Sequence, residues 1–178
     1  MLKVSDFFAE LKLKDNAHVA DFGCGVGENT KILSEMLLAG KVFAVDVHKD
    51  LLEHLETDIK RESKKEKPTL QNILPVWGNI EELDGSRLRD ESVDAILISN
   101  TFHLIIHKKT CVMEMRRVLK KNGQILFIDW HKPIGQAQMQ KQTVLSQIEI
   151  ENLFTELDFK VHPLIHKDDN HFVLKIEK

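Results

Sequence analysis

The sequence predicts a single α/β domain built around a mostly parallel sheet. Short apolar runs, many of them rich in β-branched residues, alternate with longer stretches in which apolar residues recur at helical spacing. This alternation is typical of βαβ units. The chain has 178 residues, the length of one domain at about 100–200 residues per domain. The last two apolar runs flank a polar turn, so we expect the sheet to close with an antiparallel hairpin.

The first half of the chain is predicted to begin with a helix and to continue as alternating strands and helices. Apolar side chains in the opening segment have the i, i+3, i+4, i+7 spacing of an amphipathic helix within residues 1–17. β-branched apolar runs predict strands at 18–22, 41–46 and 73–77. A helix follows each of the first two strands. We expect Gly40, in the left-handed conformation, to end the helix that follows the first strand. The helix that follows the second strand is expected to stop before Pro68.

The second half is predicted to add four strands, at 95–99, 123–129, 161–165 and 172–176. A helix over 104–119 is expected between the first two of these strands. Ser146 and Glu149 have the spacing of a capping box, which predicts a helix from there to about residue 157. The least patterned segment, 132–143, is interpreted as a flap loop beyond the fifth strand, where open α/β sheets bind their ligands.

Composition narrows the classes of function. With 25 Lys and Arg against 28 Asp and Glu, the formal net charge is -3, so no bulk positive field is available to hold nucleic acid. The two cysteines are too few for a disulfide framework or a structural zinc site, and they fit a reducing compartment. No stretch approaches the ~18 apolar residues of a membrane span. We therefore expect a cytoplasmic protein without such a span.

A glycine-rich turn follows the first predicted strand and precedes a helix. It reads DFGCGVG over residues 21–27, and glycines there would let the backbone approach a ligand closely. A dinucleotide fingerprint has its third glycine three positions after the second, where this chain has Glu28. A phosphate-binding P-loop is excluded because no Gly-Lys-Ser/Thr follows. A pyrophosphate at this turn would meet two negative side chains, Asp21 and Glu28.

These charges favour a ligand that carries no phosphate and is partly cationic. Asp46 ends the second predicted strand, where a carboxylate can accept hydrogen bonds from both hydroxyls of a ribose. S-adenosylmethionine combines such a ribose with a sulfonium and an ammonium. Two alternatives stay open: an NAD-dependent oxidoreductase, and a protein that binds S-adenosylmethionine without catalysis as a partner or sensor.

The chain resembles the class I S-adenosylmethionine-dependent methyltransferases along nearly its whole length. The motifs that carry the resemblance are VADFGCGVG (19–27), VFAVD (42–46), WGNIE (77–81), SVDAILISN (92–100) and EMRRVLKKNGQ (114–124). The last motif is similar to the junction between helix and fifth strand in the ubiquinone/menaquinone-type subgroup. The resemblance implies a Rossmann-like methyltransferase fold, with a doubly wound, mostly parallel seven-stranded sheet and a C-terminal antiparallel hairpin. It also implies S-adenosyl-L-methionine as cofactor and S-adenosyl-L-homocysteine as product.

The resemblance further implies which residues face the methionine part of the cofactor. Gly23 and Gly25 are expected to pass under it, and Asp21 is expected to help orient its ammonium. Asn100, at the end of the fourth strand, stands where the family places groups that face cofactor and substrate.

The nucleoside part is expected to lie against the ends of the second and third strands. The resemblance implies that Asp46 holds the ribose and that Val47 and Ile80 flank the adenine. Asn79 stands where many members of the family have Asp. Its amide oxygen can still accept a hydrogen bond from the adenine amino group.

Because the chain has no tyrosine, proton chemistry must use a histidine or a carboxylate. The candidate catalytic residues are two histidines. His103 follows Asn100 by three residues, and His131 follows the fifth predicted strand. Either could act as a base or merely belong to a helix or loop. His103 and His107 have the i, i+4 spacing of a helical zinc site, but without a third ligand we expect no metal. The expected partner is a small-molecule or lipid-like methyl acceptor, with a second copy of the chain in a homodimer as a further candidate.

Overall fold

One mostly parallel sheet forms the centre of the fold. The computed structural model describes residues 4–66, 68–131, 145–164 and 170–178, and within them seven strands form this sheet. The strands are β1 (His18–Phe22), β2 (Lys41–Asp46), β3 (Ile73–Trp77), β4 (Val93–Ser99), β5 (Leu119–Trp130), β6 (Lys160–Leu164) and β7 (His171–Glu177). Their order is β3-β2-β1-β4-β5-β7-β6. β1 to β5 run parallel, while β7 is antiparallel to both of its neighbours, β5 and β6.

Helices connect the parallel strands and cover the sheet. They are α1 (Val4–Phe8), α2 (Glu28–Met36), α3 (Lys49–Glu62), α4 (Lys108–Val118) and α5 (Gln147–Thr155), with 3-10 turns at Ala9–Leu11 and Phe102–Leu104. From β1 the chain proceeds outward through β2 to β3, then returns past β1 to β4 and β5. The direction of winding therefore reverses between β1 and β4. The predicted fold class is confirmed, and so is the capping box of Ser146 and Glu149 at the start of α5.

The central strands are buried on both faces, as expected for a parallel sheet between two layers of helices. Along β4, Ile96 and Ile98 belong to one hydrophobic cluster and Leu97 to another. The first cluster contains the rings of Phe102, Phe127 and Phe154, which pack at centroid distances of 5.1 to 6.2 Å. The second cluster joins β1, α2 and the N-terminal helix.

The prediction for Gly40 is wrong. α2 ends at Met36, and Gly40 is not in the left-handed conformation. A Cβ atom at Gly40 would lie 2.1 Å from the carbonyl oxygen of Ala17. A close approach between two backbone segments therefore explains this glycine.

Two boundaries near the fourth and fifth strands also differ from the prediction. The helix predicted over 104–119 begins only at Lys108, because Glu81 Oε2 accepts the backbone N–H groups of Ile106 and His107 at 2.8 and 2.7 Å. The strand predicted at 123–129 begins at Leu119, and its register against β4 shifts before Gln124. The predicted flap at 132–143 lies outside the described residues.

Candidate functional site

A cavity of about 390 Å³ opens at the carboxyl ends of the strands, beside the glycine turn after β1 and the end of β4. Open α/β sheets bind ligands where the winding reverses in this way. The sequence-predicted residues that line the cavity are Gly23, Gly25, Asp46, Val47, Asn79, Ile80 and Asn100. The fold thus brings together every predicted cofactor-binding residue except Asp21.

The glycine turn has backbone conformations that favour glycine. Gly23 and Gly25 have φ angles of 74° and 55°, in the left-handed region that costs other residues energy. A Cβ atom on Gly23 would lie 2.3 Å from Thr101 Cγ2, whereas a Cβ on Gly25 would meet no atom within 4 Å. Gly23 is therefore required both by conformation and by contact with the segment after β4.

Backbone N–H groups of this turn already donate to protein oxygen atoms. Gly23 and Cys24 donate to the carbonyl oxygen of Val45 at 2.8 and 3.2 Å, and Gly25 donates to Asp46 Oδ2 at 2.8 Å. Glycine turns that bind phosphate use such N–H groups as donors to the anion. The structure therefore gives a second reason, independent of the acidic side chains, why this turn does not suit a phosphate.

Asp21 is buried behind the turn and does not line the cavity. Its Oδ2 accepts a hydrogen bond of 2.6 Å from Thr30 Oγ1 in α2. Burial raises the pKa of Asp21 to about 6; the bond from Thr30 lowers it and the neighbouring charge of Asp46 raises it further. Ionisation of this side chain at neutral pH therefore costs free energy, and a nearby cation would offset that cost.

Asp46 is the carboxylate at the cavity itself. While Oδ2 accepts the Gly25 N–H, Oδ1 accepts the backbone N–H of His48 at 2.9 Å and lies 2.9 Å from His48 Nδ1. The His48 ring is 66% exposed. A ribose hydroxyl can therefore reach Asp46 if it shares Oδ1 with this ring or displaces it.

The expected adenine side of the cavity has apolar walls and an amide that is already engaged. Val47 and Ile80 both line the cavity, and Trp77 Nε1 donates to the Val47 carbonyl at 3.0 Å. Asn79 Oδ1 accepts the Glu81 N–H at 3.0 Å, and its Nδ2 donates to Glu82 at 2.9 Å. An amide oxygen has two lone pairs, so one is left for an adenine amino group.

The two candidate catalytic histidines occupy different environments. His103 lies in the 3-10 turn after β4, where its Nδ1 is 2.8 Å from Oδ1 of the buried Asp129. His131 is exposed at the end of β5, and its ring centroid lies 5.4 Å from that of Phe172. Neither lines the cavity, but Leu104, next to His103, does. His103 is therefore the one of the two that the described residues orient beside the site.

Sequence reasoning missed three residues that shape the site: Asp129, His48 and Thr101. Asp129 ends a predicted strand as Asp46 does, so the rule that selected Asp46 would also have selected Asp129. His48 and Thr101 carry no such signal. Thr101 Oγ1 donates to the Gly23 carbonyl at 3.3 Å, a contact that depends on the adjacency of β1 and β4.

The cysteines and histidines do not assemble a metal site in the part of the chain that the structure describes. His103 lies in the 3-10 turn and His107 precedes α4, so they do not share a helix. No group of three or more His, Cys, Asp or Glu residues that could hold a metal ion occurs among the described residues. Cys111 is fully buried and Cys24 partly so, and burial raises the pKa of both thiols. Within the same residues, none of the helices has the length and apolar character needed to cross a bilayer.

The fold and the cavity are those expected of an S-adenosylmethionine-dependent methyltransferase, and comparison with known proteins gives the same class. Residues 20–127 match a family model described as a methyltransferase domain. The chain therefore belongs to this family of class I S-adenosylmethionine-dependent methyltransferase domains. Membership implies S-adenosylmethionine as the cofactor, which confirms the prediction from the sequence motifs.

Individual relatives point to more than one acceptor. The chain is 27% identical over 116 residues to arsenite methyltransferase of Mus musculus, a match covering 65% of this chain and 31% of that protein. It is 30% identical over 123 residues to the ubiquinone/menaquinone biosynthesis C-methyltransferase of Pectobacterium carotovorum, covering 68% and 46%. The chain thus spans less than half the length of these curated relatives.

Solved structures show the same fold. The crystal structure of an S-adenosylmethionine-dependent methyltransferase from Aquifex aeolicus superposes with a TM-score of 0.81 at 22% identity, over 97% of this chain and 88% of that one. At this level of identity the likeness establishes the arrangement of strands and helices. The acceptor has to be argued from the cavity.

Proposed function

We propose that this protein transfers a methyl group from S-adenosylmethionine to a small-molecule or lipid-like acceptor. The observation that carries the proposal is Asp46, a buried carboxylate at the cavity, held beside a glycine turn whose N–H groups are already occupied. A carboxylate suits the two hydroxyls of a ribose, and the occupied N–H groups do not suit a phosphate.

The residues at the cavity fit the parts of this cofactor. Asp46 would hold the ribose, Val47 and Ile80 would enclose the adenine, and Gly23 and Gly25 would leave room for the methionine part. When bound, S-adenosylmethionine supplies an electrophilic methyl group on a sulfonium. The chain's own task is to hold an acceptor in line with that methyl, at about 3–3.5 Å.

The walls of the cavity favour an apolar acceptor. Leu104 and Ile105 line it beside Asn100, and Leu104 is 51% exposed. An arsenic acceptor would call for accessible thiolates, but Cys111 is fully buried and burial raises the pKa of both Cys111 and Cys24. An apolar ring compound of the quinone type, as in the name of the Pectobacterium relative, agrees better with these walls.

The proposal also includes a single catalytic domain that works in the cytoplasm on a small molecule and not on nucleic acid. The formal net charge of -3 supports the choice of a small molecule. Self-association is a further part of the proposal. A homodimer made by extending the sheet is disfavoured, because the two edge strands β3 and β6 carry Pro75 and Pro163. Light scattering on the purified chain would show whether a dimer forms through another surface.

Calorimetric titration of an Asp46→Ala variant with S-adenosylhomocysteine tests the assignment of the ribose site. Hydrogen bonds to a charged group contribute about 1.5–3 kcal/mol, so affinity should fall about 10- to 150-fold. Asp50→Ala, an exposed carboxylate in the first turn of α3, is the matched control and should bind like the wild type. Unchanged affinity in Asp46→Ala would contradict the proposed ribose site.

A turnover assay separates an enzyme from a protein that only binds the cofactor. Purified protein is incubated with methyl-labelled S-adenosylmethionine and small-molecule extracts. Transfer of label to an extract component is the expected result. Tight cofactor binding without any transfer would favour the binding or sensor alternative.

A further inference from the structure

Asp129 contacts both the backbone and the side chain of His103 in the 3-10 turn that follows β4. It lies near the carboxyl end of β5 and is 2% exposed. Its Oδ2 accepts the backbone N–H of His103 at 2.8 Å, and its Oδ1 lies 2.8 Å from His103 Nδ1. Oδ1 also accepts the N–H of Trp130 at 2.9 Å. One buried carboxylate thus fixes both the backbone and the ring of His103.

These contacts determine which ring nitrogen carries the proton. A carboxylate only accepts hydrogen bonds, so in a neutral imidazole the proton lies on Nδ1 and faces Asp129. Nε2 then has an unprotonated lone pair. Among the residues that the structure describes, no side chain or backbone group bonds to Nε2, and the side chain is only 12% exposed. The ring is therefore oriented, largely removed from water and able to accept a proton.

The turn that carries His103 lines the cavity beside the place proposed for the acceptor. Thr101, Leu104 and Ile105 all line the cavity, and His103 lies between them in the chain. The ring contacts Asp129 of β5, which is the neighbour of β4 on the side away from the cofactor strands β1 and β2. The turn that carries His103 thus borders the part of the cavity that the cofactor residues leave to the acceptor, with His103 directly behind its lining.

We infer that Asp129 is a positioning residue that holds His103 as the proton acceptor for a hydroxyl-bearing methyl acceptor of phenolic type. This inference rests on the proposed methyltransferase function. The acceptor's O–H bond breaks and its proton goes to His103 Nε2. The oxygen forms a bond to the methyl carbon, while the methyl–sulfur bond breaks and its electron pair stays on sulfur. The positive charge of the sulfonium ends on the imidazolium.

The chemistry of imidazole selects the phenol. An ordinary imidazole has a pKa of about 6.5 and a phenol one of about 10, a gap of about 3.5 pKa units. An aliphatic hydroxyl is about as weakly acidic as water, whose pKa is about 15.7, so the gap becomes about 9. An amine attacks through its existing lone pair and needs no base in the transfer step. A positioned imidazole is therefore most useful to a phenolic acceptor.

Nitrogen NMR of the ligand-free protein tests the positioning role without any turnover. In wild-type protein labelled with ¹⁵N-histidine at pH 8, the His103 signals, assigned with His103→Gln, should show the proton on Nδ1. In Asp129→Asn a single amide oxygen replaces the two carboxylate oxygens that accept the N–H groups of His103 and Trp130 and face Nδ1. The ring should then lose its fixed preference for the proton on Nδ1, and signals of the form with the proton on Nε2 should appear. A wild-type His103 with its proton on Nε2 would overturn the inference.

Activity measurements test the chemical role. Labelled S-adenosylmethionine is offered with 2-naphthol, benzyl alcohol and 2-naphthylamine as probe acceptors. We expect transfer to 2-naphthol by the wild type. In Asp129→Asn and His103→Gln, kcat should be reduced by a factor of about 100 or more. Wild-type rates on 2-naphthol in His103→Gln, or transfer to the amine alone, would overturn the inference.

Two controls separate this inference from the proposed function and from simple loss of stability. S-adenosylhomocysteine should bind both variants within about threefold of the wild-type Kd; failure of the wild type to bind it would refute the proposed function instead. Asp94→Asn is the matched structural control, because Asp94 also accepts a backbone N–H from a different element, that of His18 in β1, at the opposite end of β4. Its kcat should stay near that of the wild type, and an equal loss there would overturn the role of Asp129.

Discussion

Three buried carboxylates at the same edge of the sheet define the chemistry of this site. Asp21, Asp46 and Asp129 lie at the carboxyl ends of β1, β2 and β5, and each is less than a tenth exposed. Burying a carboxylate is costly unless it is hydrogen-bonded. Asp46 and Asp129 each accept backbone N–H groups, whereas Asp21 has one hydroxyl partner. Of these three, Asp21 is therefore the residue with the fewest hydrogen bonds to offset the cost of burying its charge.

The raised pKa of Asp21 predicts a specific dependence of stability on pH. The pKa is about 6 in the folded protein, mainly because of burial, against 3.8 ordinarily. Between pH 4 and 6 the folded state binds more protons at this group, so its contribution to stability falls as the pH rises. Asp21→Asn should abolish this loss, which amounts to about 3 kcal/mol.

Urea unfolding of the wild type and Asp21→Asn at pH 4.5, 5.5, 6.5 and 7.5 would measure this effect. The variant should gain stability relative to the wild type as the pH rises from about 4 to about 6, and the difference should level off above about 6. Asn can still accept the hydroxyl of Thr30. Parallel pH curves for the two proteins would contradict the assigned environment of Asp21.

At the scale of elements, the glycine turn and the segment after β4 fit closely against each other. Thr101 fills the space beside Gly23, and its hydroxyl donates to the Gly23 carbonyl. Asn100, in the left-handed conformation at 53°, donates to the Ile128 carbonyl of β5 at 2.9 Å. The glycine turn and β5 are thus joined through two consecutive residues.

Alanine substitutions in the glycine turn should separate backbone strain from steric conflict. Both Gly23→Ala and Gly25→Ala force a left-handed alanine, at about 1–2 kcal/mol. Gly23→Ala also drives a Cβ into Thr101, which adds about 1–3 kcal/mol. Urea unfolding should therefore show a larger loss for Gly23→Ala, and addition of Thr101→Ala should recover part of it. Equal losses for the two glycine variants would refute this account.

The loop after β3 is held by an ion pair from α4. Glu114 is fully buried and accepts the N–H groups of Asp84 and Ser86, and its Oε1 lies 2.7 Å from Arg117 Nη2. Burial alone would raise the pKa of Glu114, but bonds from Arg117 and Ser86 hold it below its ordinary value. α4 therefore fixes the loop that carries Asn79 and Ile80 to the cavity.

Removing Arg117 should destabilise the protein strongly, because it leaves the buried carboxylate of Glu114 without its cation. Arg117→Met should lower the free energy of unfolding by about 3 kcal/mol or more. The double variant Arg117→Met with Glu114→Gln is the control and should recover part of this loss. If the double variant is no more stable than the single one, the ion pair is not the cause.

At the scale of the whole molecule, the sheet and several residues that line the cavity could be predicted from the sequence, but the contacts of the 3-10 turn after β4 could not. Strands β1, β2 and β3 match their predicted bounds because each is a short apolar run between turn residues. The 3-10 turn before α4 was missed because its apolar residues have helical spacing, while the bonds from Glu81 that prevent a helix come from a distant loop. The pairing of His103 with Asp129 likewise depends on the adjacency of β4 and β5, which no local pattern reveals.

Titration of the wild-type protein with S-adenosylhomocysteine and, separately, with NAD tests the central claim most directly. Both ligands offer a ribose to Asp46, but only NAD brings a pyrophosphate to a turn with occupied N–H groups and two acidic side chains. The account predicts saturable heat with S-adenosylhomocysteine and none with NAD. Saturable heat with NAD and none with S-adenosylhomocysteine would contradict it.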